Sequence, residues 1–228
     1  MTNHRIARIL SLIIAALSAS ETVALGPQKP PASPSSLSSR RSFIKAASYA
    51  ASGSLLFVAA SQAASPPVLG GPIRFGDESI MSPKAHGTSE KPVQENLLYS
   101  VSNQLADKIC NYNRHFAEFA GYFKTTDFEE KILAANGPVT FYDSVTGKPL
   151  FVAPRSRSPQ QFLEESEIHG WPSFRDDEVV WENVRVLKNS GETVSVDGTH
   201  LGHNLPDRKG NRYCINLVSI AGQPTARA

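Results

Sequence analysis

Hydrophobic residues recur at helical spacing in the middle of the chain, between residues 96 and 124. The apolar positions that set this spacing are Leu98, Val101, Leu105 and Ile109. Steps of three and four residues place apolar side chains on one face of an α-helix. The pattern predicts one helix that runs through Cys110, with Phe116 and Phe119 continuing its apolar face.

The pattern changes after Asn136-Gly137-Pro138, a sequence typical of a turn. Short segments rich in β-branched and aromatic residues follow, separated by Gly, Asn and Ser: residues 139–142, 150–153, 179–187 and 192–196. Such segments predict strands, so the body of the protein is predicted to be mainly β. Trp181 is predicted to be a core residue, and the polar stretch 155–167 to be a mobile rim or a solvated surface.

The last predicted strand, residues 212–218, alternates between polar and apolar side chains. Two sets point to opposite faces of such a strand: Arg212, Cys214 and Asn216 on one, and Tyr213, Ile215 and Leu217 on the other. The apolar set is expected to face the core, which leaves the Cys214 thiol on the open face near a guanidinium. A neighbouring cation favours the nucleophilic thiolate. The alternative is a buried, inert cysteine.

The first 64 residues differ in composition from the rest of the chain. They carry six Lys or Arg and one acidic residue, whereas the remainder carries 17 basic and 20 acidic side chains. Two short apolar stretches, residues 9–17 and 46–60, interrupt the basic segment, and Arg40-Arg41 precedes the second. Basic residues, an apolar run and small residues in that order are typical of export signals, here of the twin-arginine type.

Two signals in series predict a targeting presequence at residues 1–64, an extended linker at 65–92 and a folded domain at 93–228. Layered signals are typical of a nucleus-encoded protein of the plastid thylakoid lumen, and a bacterial periplasmic protein is the alternative. The apolar stretches are too short, or too rich in Ala and Ser, to span a bilayer, so the mature domain is not expected to be membrane-embedded. Its mildly acidic balance gives no indication of nucleic-acid binding.

A second polar cluster lies upstream of the last strand, where His200 and His203 precede Asp207. Imidazole and carboxylate groups exchange protons near neutral pH and fix one another's tautomers. A solvated turn and a metal site are the alternatives. Two histidines three residues apart could bind zinc, but a third and a fourth ligand are not obvious.

Three motifs in a fixed order carry a family resemblance. They are Gly170-Trp171-Pro172-Ser173-Phe174, then His200-Leu201-Gly202-His203 with Pro206-Asp207, then Arg212-Tyr213-Cys214-Ile215-Asn216, and Gly147 with Pro149-Leu150-Phe151 adds a fourth match. Together they resemble the B-type methionine sulfoxide reductases, also called SelR domains, over about residues 138–220. Several motifs in the correct order are far more specific than any one of them.

The resemblance implies that Cys214 attacks the sulfur of methionine-R-sulfoxide, releases methionine and is left as a sulfenic acid. Other residues are implied to organise water, to help protonate the sulfoxide oxygen, to favour the thiolate or to orient the site. They are His200, His203, Asp207, Arg212 and Asn216.

The resemblance also implies a substrate-binding site at Trp171 and Phe174, in which the indole of Trp171 faces the S-methyl group. The alternative for Trp171 is a core aromatic residue. The implied substrate is oxidised methionine, in proteins or free. A thioredoxin-like reductant would recycle the enzyme, and no bound organic cofactor is expected because the electrons pass through sulfur.

The chain departs from many relatives at the positions of their structural zinc. Those relatives hold zinc with two CxxC pairs, and the corresponding positions here are Asp143, Thr146, Val194 and Asp197. Two carboxylates without thiolates are poor structural-zinc ligands, so a zinc-free member is expected. A site for a harder cation between Asp143 and Asp197 is an alternative.

A second departure concerns the cysteine that resolves the sulfenic acid. Relatives often carry it two residues before the tryptophan, where this chain has His169, and the one other cysteine is Cys110. Three alternatives are open: Cys110 resolves the sulfenic acid, it is a bystander, or it forms a structural disulfide with Cys214. A disulfide requires Cα atoms within about 7 Å of each other.

The fold expected from the resemblance is a domain of the β-tent kind, with twisted antiparallel sheets preceded by an N-terminal helix. The expected function is thiol-based reduction of methionine sulfoxide. One alternative is a catalytically weak binding module that recognises a side chain or a partner through the Trp171 pocket. A zinc hydrolase built on the two histidines is the other, and it lacks ligands.

Overall fold

The computed structural model describes residues 67–115 and 117–225. The strands within these residues are β1 (Phe75–Gly76), β2 (Val139–Tyr142), β3 (Pro149–Ala153), β4 (Ser173–Phe174), β5 (Val184–Leu187), β6 (Glu192–Ser195), β7 (His200–Asn204) and β8 (Tyr213–Ile215). The α-helices are α1 (Asn103–Tyr112), α2 (Phe128–Ala134) and α3 (Pro159–His169). Short 3-10 helices span Glu78–Met81, Tyr122–Thr125, Asp176–Glu178 and Leu217–Ser219.

Six strands form one sheet in the order β1, β5, β6, β7, β8, β4, and β2 pairs with β3 in a separate hairpin. The pairings between these strands are antiparallel except that of β1 with β5. The prediction of a mainly β fold with a preceding helix is confirmed. One edge of the large sheet is parallel rather than antiparallel, and it is formed by β1 and β5.

The core is built around packed phenylalanine rings. Phe174 stacks on Phe151 with ring centroids 4.3 Å apart and meets Phe141 edge-on at 5.2 Å. Phe162 of α3 and Phe128 of α2 are fully buried beside them. Offset and edge-on aromatic pairs add about 0.5–1.5 kcal/mol each to the free energy of burial. The hairpin, the large sheet and the three α-helices therefore share one core, to which α1 contributes Ala106 and Ile109.

The predicted helix over residues 96–124 is confined to the ten residues of α1. Ser102 caps its first turn by accepting a hydrogen bond from the Leu105 N–H, and the helix ends before Asn113. Phe119 lies beyond the helix with an exposed side chain, and Phe116 lies outside the described residues. The sequence predicted too long a helix because apolar residues of the loop after Tyr112 lie at helical spacing from those of α1.

The segment predicted as an extended linker, residues 65–92, is described from Pro67 and contributes to the folded domain. β1 pairs with β5, and the 3-10 helix Glu78–Met81 buries Met81 against Leu187. A two-residue strand has too few positions to produce an alternating pattern, so its pairing depends on contacts with distant residues.

Residues predicted as a polar rim form most of α3. Ser158 and Gln161 make a reciprocal capping box, Pro159 occupies the first turn, and Gly170 ends the helix with a positive φ of 83°. The helix buries Phe162 and Ser166 and exposes the rest of its largely polar surface. The low number of apolar residues explains why periodicity did not predict it.

Strands β2, β3 and β6 lie where the sequence predicts them. The predicted strand over 179–187 forms only at its end, as β5, and Trp181 lies in the preceding turn, buried in the core as expected. The presequence predicted at residues 1–64 lies outside the described residues. No helix in the described part of the chain is long and apolar enough to cross a bilayer.

Candidate active site

Cys214 lies at the centre of β8, between strands β4 and β7. It is opposite Ser173 on one side and His203 on the other. Directly opposed residues of antiparallel strands project to the same face of a sheet, with Cβ atoms about 4.5–5.5 Å apart. The sheet therefore brings the predicted nucleophile and one predicted proton-transfer residue together, although they are eleven positions apart in sequence.

The alternation predicted for this strand holds for its apolar side chains. Tyr213 and Ile215 are fully buried in the core, while Cys214 keeps partial exposure. The polar face is less open than predicted, because Arg212 and Asn216 are also buried, at 8% and 1% exposure. The thiol consequently lies in a polar pocket and not on an open surface.

Arg212 is the cation that favours the Cys214 thiolate by lowering the pKa of the thiol. Its Nε lies 3.6 Å from Asp207 Oδ2. Nε and Nη1 are buried without a hydrogen-bond partner among the described residues. Unpaired buried donors cost free energy, so this guanidinium is suited to receiving an oxygen atom from a ligand.

Burial raises the pKa of the Cys214 thiol above its usual value, Arg212 opposes that change, and the Glu118 carboxyl reinforces it. The resting cysteine is therefore mainly a protonated thiol at neutral pH. Arg212 favours the thiolate, as expected from the sequence, but the loss of hydration on burial outweighs the attraction of one cation.

Replacing Arg212 with Gln is expected to slow alkylation of Cys214 by iodoacetamide about tenfold at pH 7.5, the equivalent of a charge-assisted hydrogen bond worth roughly 1.4 kcal/mol. Loss of the cation raises the pKa of the thiol further, so less thiolate exists at any pH below that pKa. The exposed Arg208, changed to Gln, is the matched control. Equal alkylation rates in R212Q and the parent across pH 6–9 would contradict this role.

His200 is held by residues that the sequence analysis did not single out. Glu192 Oε1 lies 2.7 Å from His200 Nδ1, and Glu192 also accepts hydrogen bonds from Arg114. Burial opposes ionisation of Glu192, but the hydrogen bonds from His200 and Arg114 outweigh it and hold its pKa below the usual value. An ionised carboxylate only accepts hydrogen bonds, so Nδ1 of His200 is the donor in this contact. Glu192 lies on β6, the strand before the one that carries His200 and His203. A prediction that β6 pairs with β7 would have placed Glu192 beside these histidines.

His203 lies on the same strand as His200, with their ring centroids 5.7 Å apart. Burial lowers the pKa of His203, and the neighbouring His200 lowers it further. His115, from the loop after α1, also disfavours its protonation. His203 is therefore a neutral imidazole near pH 7, able to accept a proton and pass it on.

The two aromatic residues predicted to bind substrate lie in different places. Trp171 is partly exposed, and its indole Nε1 donates a 3.0 Å hydrogen bond to the backbone carbonyl of Glu118. Phe174 is fully buried in the phenylalanine core, opposite Tyr213. It therefore supports the site from behind, and the neighbour of Cys214 across the strands is Ser173.

Asp207 lies at the exposed rim of the site. The hydrogen bond from Arg175 holds the pKa of its carboxyl well below the usual range, so it stays ionised. It orients cations and is not a proton donor at neutral pH. Asp207, Glu165 and His169 are the group of three potential metal ligands found in residues 67–115 and 117–225, and Arg175 pairs with both carboxylates.

The two carboxylates considered for a cation site, Asp143 and Asp197, have other partners. The buried Asp143 carboxylate accepts hydrogen bonds from the Val145 N–H and the Thr199 hydroxyl. Asp197 pairs with Lys148 at 2.8 Å. These side-chain contacts link the turn after β2 to the turn after β6, and the oxygen donors suit hydrogen bonding better than a soft metal.

Cys110 lies in α1 on the buried side of the domain. It has no exposed surface, and its Sγ lies 3.6 Å from the Ser219 hydroxyl. Both cysteines are free thiols, and burial raises the pKa of Cys110 far above its usual value. A thiol without exposure or ionisation is poorly suited to attack a sulfenic acid.

No protein-family model matches the sequence. The resemblance to B-type methionine sulfoxide reductases consequently rests on the ordered sequence motifs alone. The sheet sets Cys214 and His203 opposite each other on neighbouring strands, and Trp171 and Asn216 both hydrogen-bond to Glu118.

Proposed function

We propose that this protein reduces methionine-R-sulfoxide to methionine, with Cys214 as the nucleophile. The observation that carries the proposal is the register of β7 and β8, which sets neutral His203 opposite Cys214. An imidazole beside a thiol is the arrangement by which an enzyme removes the thiol proton as the sulfur attacks. A buried arginine with unpaired donors beside the same thiol adds a site for the sulfoxide oxygen.

The proposed reaction balances without an external proton. The Cys214 sulfur attacks the sulfoxide sulfur, and the oxygen then forms a bond to the Cys214 sulfur as the bonds that join the methionine sulfur to this oxygen and to Cys214 break. His203 takes the thiol proton and delivers it to the transferred oxygen, giving a sulfenic acid and methionine. Cys214 is oxidised by two electrons, and the substrate sulfur is reduced by two. A protonated resting thiol suits this sequence, because its proton is the one the oxygen receives.

Substrate binding and recycling follow from the same residues. The partly exposed Trp171 ring offers an apolar face for the S-methyl group, and Arg212 faces the oxygen. Two reductant thiols then convert the sulfenic acid back to the thiol, with release of water and a disulfide. Because Cys110 is buried, we propose that a thioredoxin-like reductant acts on Cys214 directly.

A single-turnover experiment tests the proposal. The full chain is reduced, freed of reductant and mixed separately with the R and the S epimer of dabsyl-methionine sulfoxide. The R epimer is expected to yield one equivalent of dabsyl-methionine and one equivalent of sulfenic acid at Cys214, detected on its peptide as the dimedone thioether formed with loss of water. Added dithiothreitol should then give continued turnover. The S epimer should give neither product.

A binding module that uses the Trp171 pocket is the second candidate. The raised pKa of Cys214 favours it, since a protonated, half-buried thiol is a weak nucleophile without substrate. A folded, reduced chain that converts neither epimer would favour this candidate over the reductase.

A further inference from the structure

Glu118 is a buried acidic residue in the loop between α1 and the 3-10 helix Tyr122–Thr125. Its side chain is nearly inaccessible, with 2% of the residue exposed. Its carboxylate accepts hydrogen bonds from two successive backbone N–H groups, those of Leu217 at 2.8 Å and Val218 at 3.2 Å. These groups begin the 3-10 helix that follows Cys214 and Asn216, so the carboxylate caps the end of the nucleophile's strand.

The backbone of Glu118 contacts the other side of the site. Its carbonyl accepts the 3.0 Å hydrogen bond from the Trp171 indole, and its N–H donates a 3.0 Å hydrogen bond to Asn216 Oδ1. The Asn216 amide in turn donates to the Leu201 carbonyl of β7. One residue thus joins the predicted substrate aromatic, the strand of the nucleophile and the strand of the histidines.

Burying the carboxyl group of Glu118 costs free energy of desolvation, and an apolar side chain could fill the same space without that cost. Burial raises the pKa of Glu118 to about 8, and its hydrogen bonds to Leu217 and Val218 only partly offset the loss of hydration. An apolar side chain would avoid this penalty but would leave the two N–H groups unpaired. The carboxyl also disfavours the thiolate of Cys214. These contacts therefore point to a role in the arrangement that Glu118 maintains and not in activation of the thiol.

We propose that Glu118 is a positioning residue of the site: its carboxylate and backbone together hold the Trp171 ring and the Cys214–Asn216 strand end in a fixed mutual arrangement. This inference rests on the proposed reductase function for its kinetic consequence. The arrangement itself is measurable without turnover. A displacement of about 1 Å between binding and reacting groups is enough to reduce catalysis substantially.

Glu118→Gln, Glu118→Ala and the exposed control Glu130→Gln test the proposal in the full chain. Gln keeps one acceptor oxygen but turns an amide N–H₂ toward a backbone N–H, and Ala removes both acceptors. We expect kcat/KM for the R epimer to fall about tenfold in E118Q and further in E118A. Alkylation of Cys214 by iodoacetamide should be unchanged or faster, because the group that disfavours the thiolate is gone. E130Q should match the parent protein in both assays.

Acrylamide quenching of tryptophan fluorescence supplies the readout that does not need activity. Trp181 is buried, so the quenchable emission reports Trp171, and it should become more accessible in both Glu118 variants. Should E118A fail to fold, E118Q decides alone. Unchanged quenching with kcat/KM within twofold of the parent would overturn the proposal, as would a parallel fall in kcat/KM and alkylation. A parent chain without turnover would refute the reductase function, and quenching would still decide the role of Glu118.

Discussion

Replacing Cys214 with serine is expected to abolish reduction of methionine-R-sulfoxide, by at least about 10³-fold, while leaving the fold intact. The serine hydroxyl is close in size to the thiol and would occupy the same position opposite His203. The packing of β4, β7 and β8 is therefore expected to stay the same. A hydroxyl cannot form the sulfenic acid on which the proposed reaction depends. Dithiothreitol-driven turnover of the R epimer measures the loss.

Cys110→Ala is the matched control for this experiment. It removes the other thiol of the chain from a fully buried position in α1. With dithiothreitol it should retain turnover within about threefold, with a modest loss of stability of roughly 1 kcal/mol from the lost packing. If Cys110→Ala instead stops after one turnover with a protein reductant while the parent continues, Cys110 resolves the sulfenic acid after a rearrangement of α1. Residual multiple turnover in C214S would remove Cys214 from the mechanism.

The strands of this fold were predictable where β-branched and aromatic residues are concentrated between turn residues. The segments that became β2, β3 and β6 combine β-branched residues with flanking turns, and those local features suffice. α3 escaped prediction because it buries only two side chains, Phe162 and Ser166. β1 escaped because a two-residue strand depends on its partner β5. Local pattern thus identified elements that carry their own hydrophobic face and missed those stabilised by caps or by distant pairing.

The candidate site shows the same division. Cys214 and His203 belong to separate motifs, and the pairing of β7 with β8 that sets them opposite each other was not predicted from the sequence. Glu118 and Glu192 belong to no motif and reach the site through long-range hydrogen bonds, which sequence spacing does not reveal. The burial of Phe174 follows from the alternation of side chains along a strand. Because Ser173 shares a face with Cys214, the next residue projects to the opposite face, toward the core.

Replacing Gly202 with alanine should be the most damaging change in the framework of the site. Gly202 lies in β7 between the two histidines, opposite Ile215 of β8. A Cβ at this position would lie 2.0 Å from the backbone carbonyl oxygen of Cys214. No rotamer change relieves a clash with backbone, so β7 and β8 would have to separate. Glycine is required here because the two backbones approach each other too closely for any side chain.

The expected result of Gly202→Ala is destabilisation by about 3 kcal/mol or more, near the upper end for overpacking, and a fall in the melting temperature of roughly 10 °C for a domain of this size. Turnover should be lost, since His203 and Cys214 lie on the strands that move apart. Gly137→Ala is the control, because the nearest atom to its added Cβ is 4.0 Å away. Thermal unfolding followed by circular dichroism separates the two. A G202A protein that melts with the parent and turns over normally would show that β7 and β8 are not held together as closely as this register requires, and the opposition of His203 and Cys214 would lose its support.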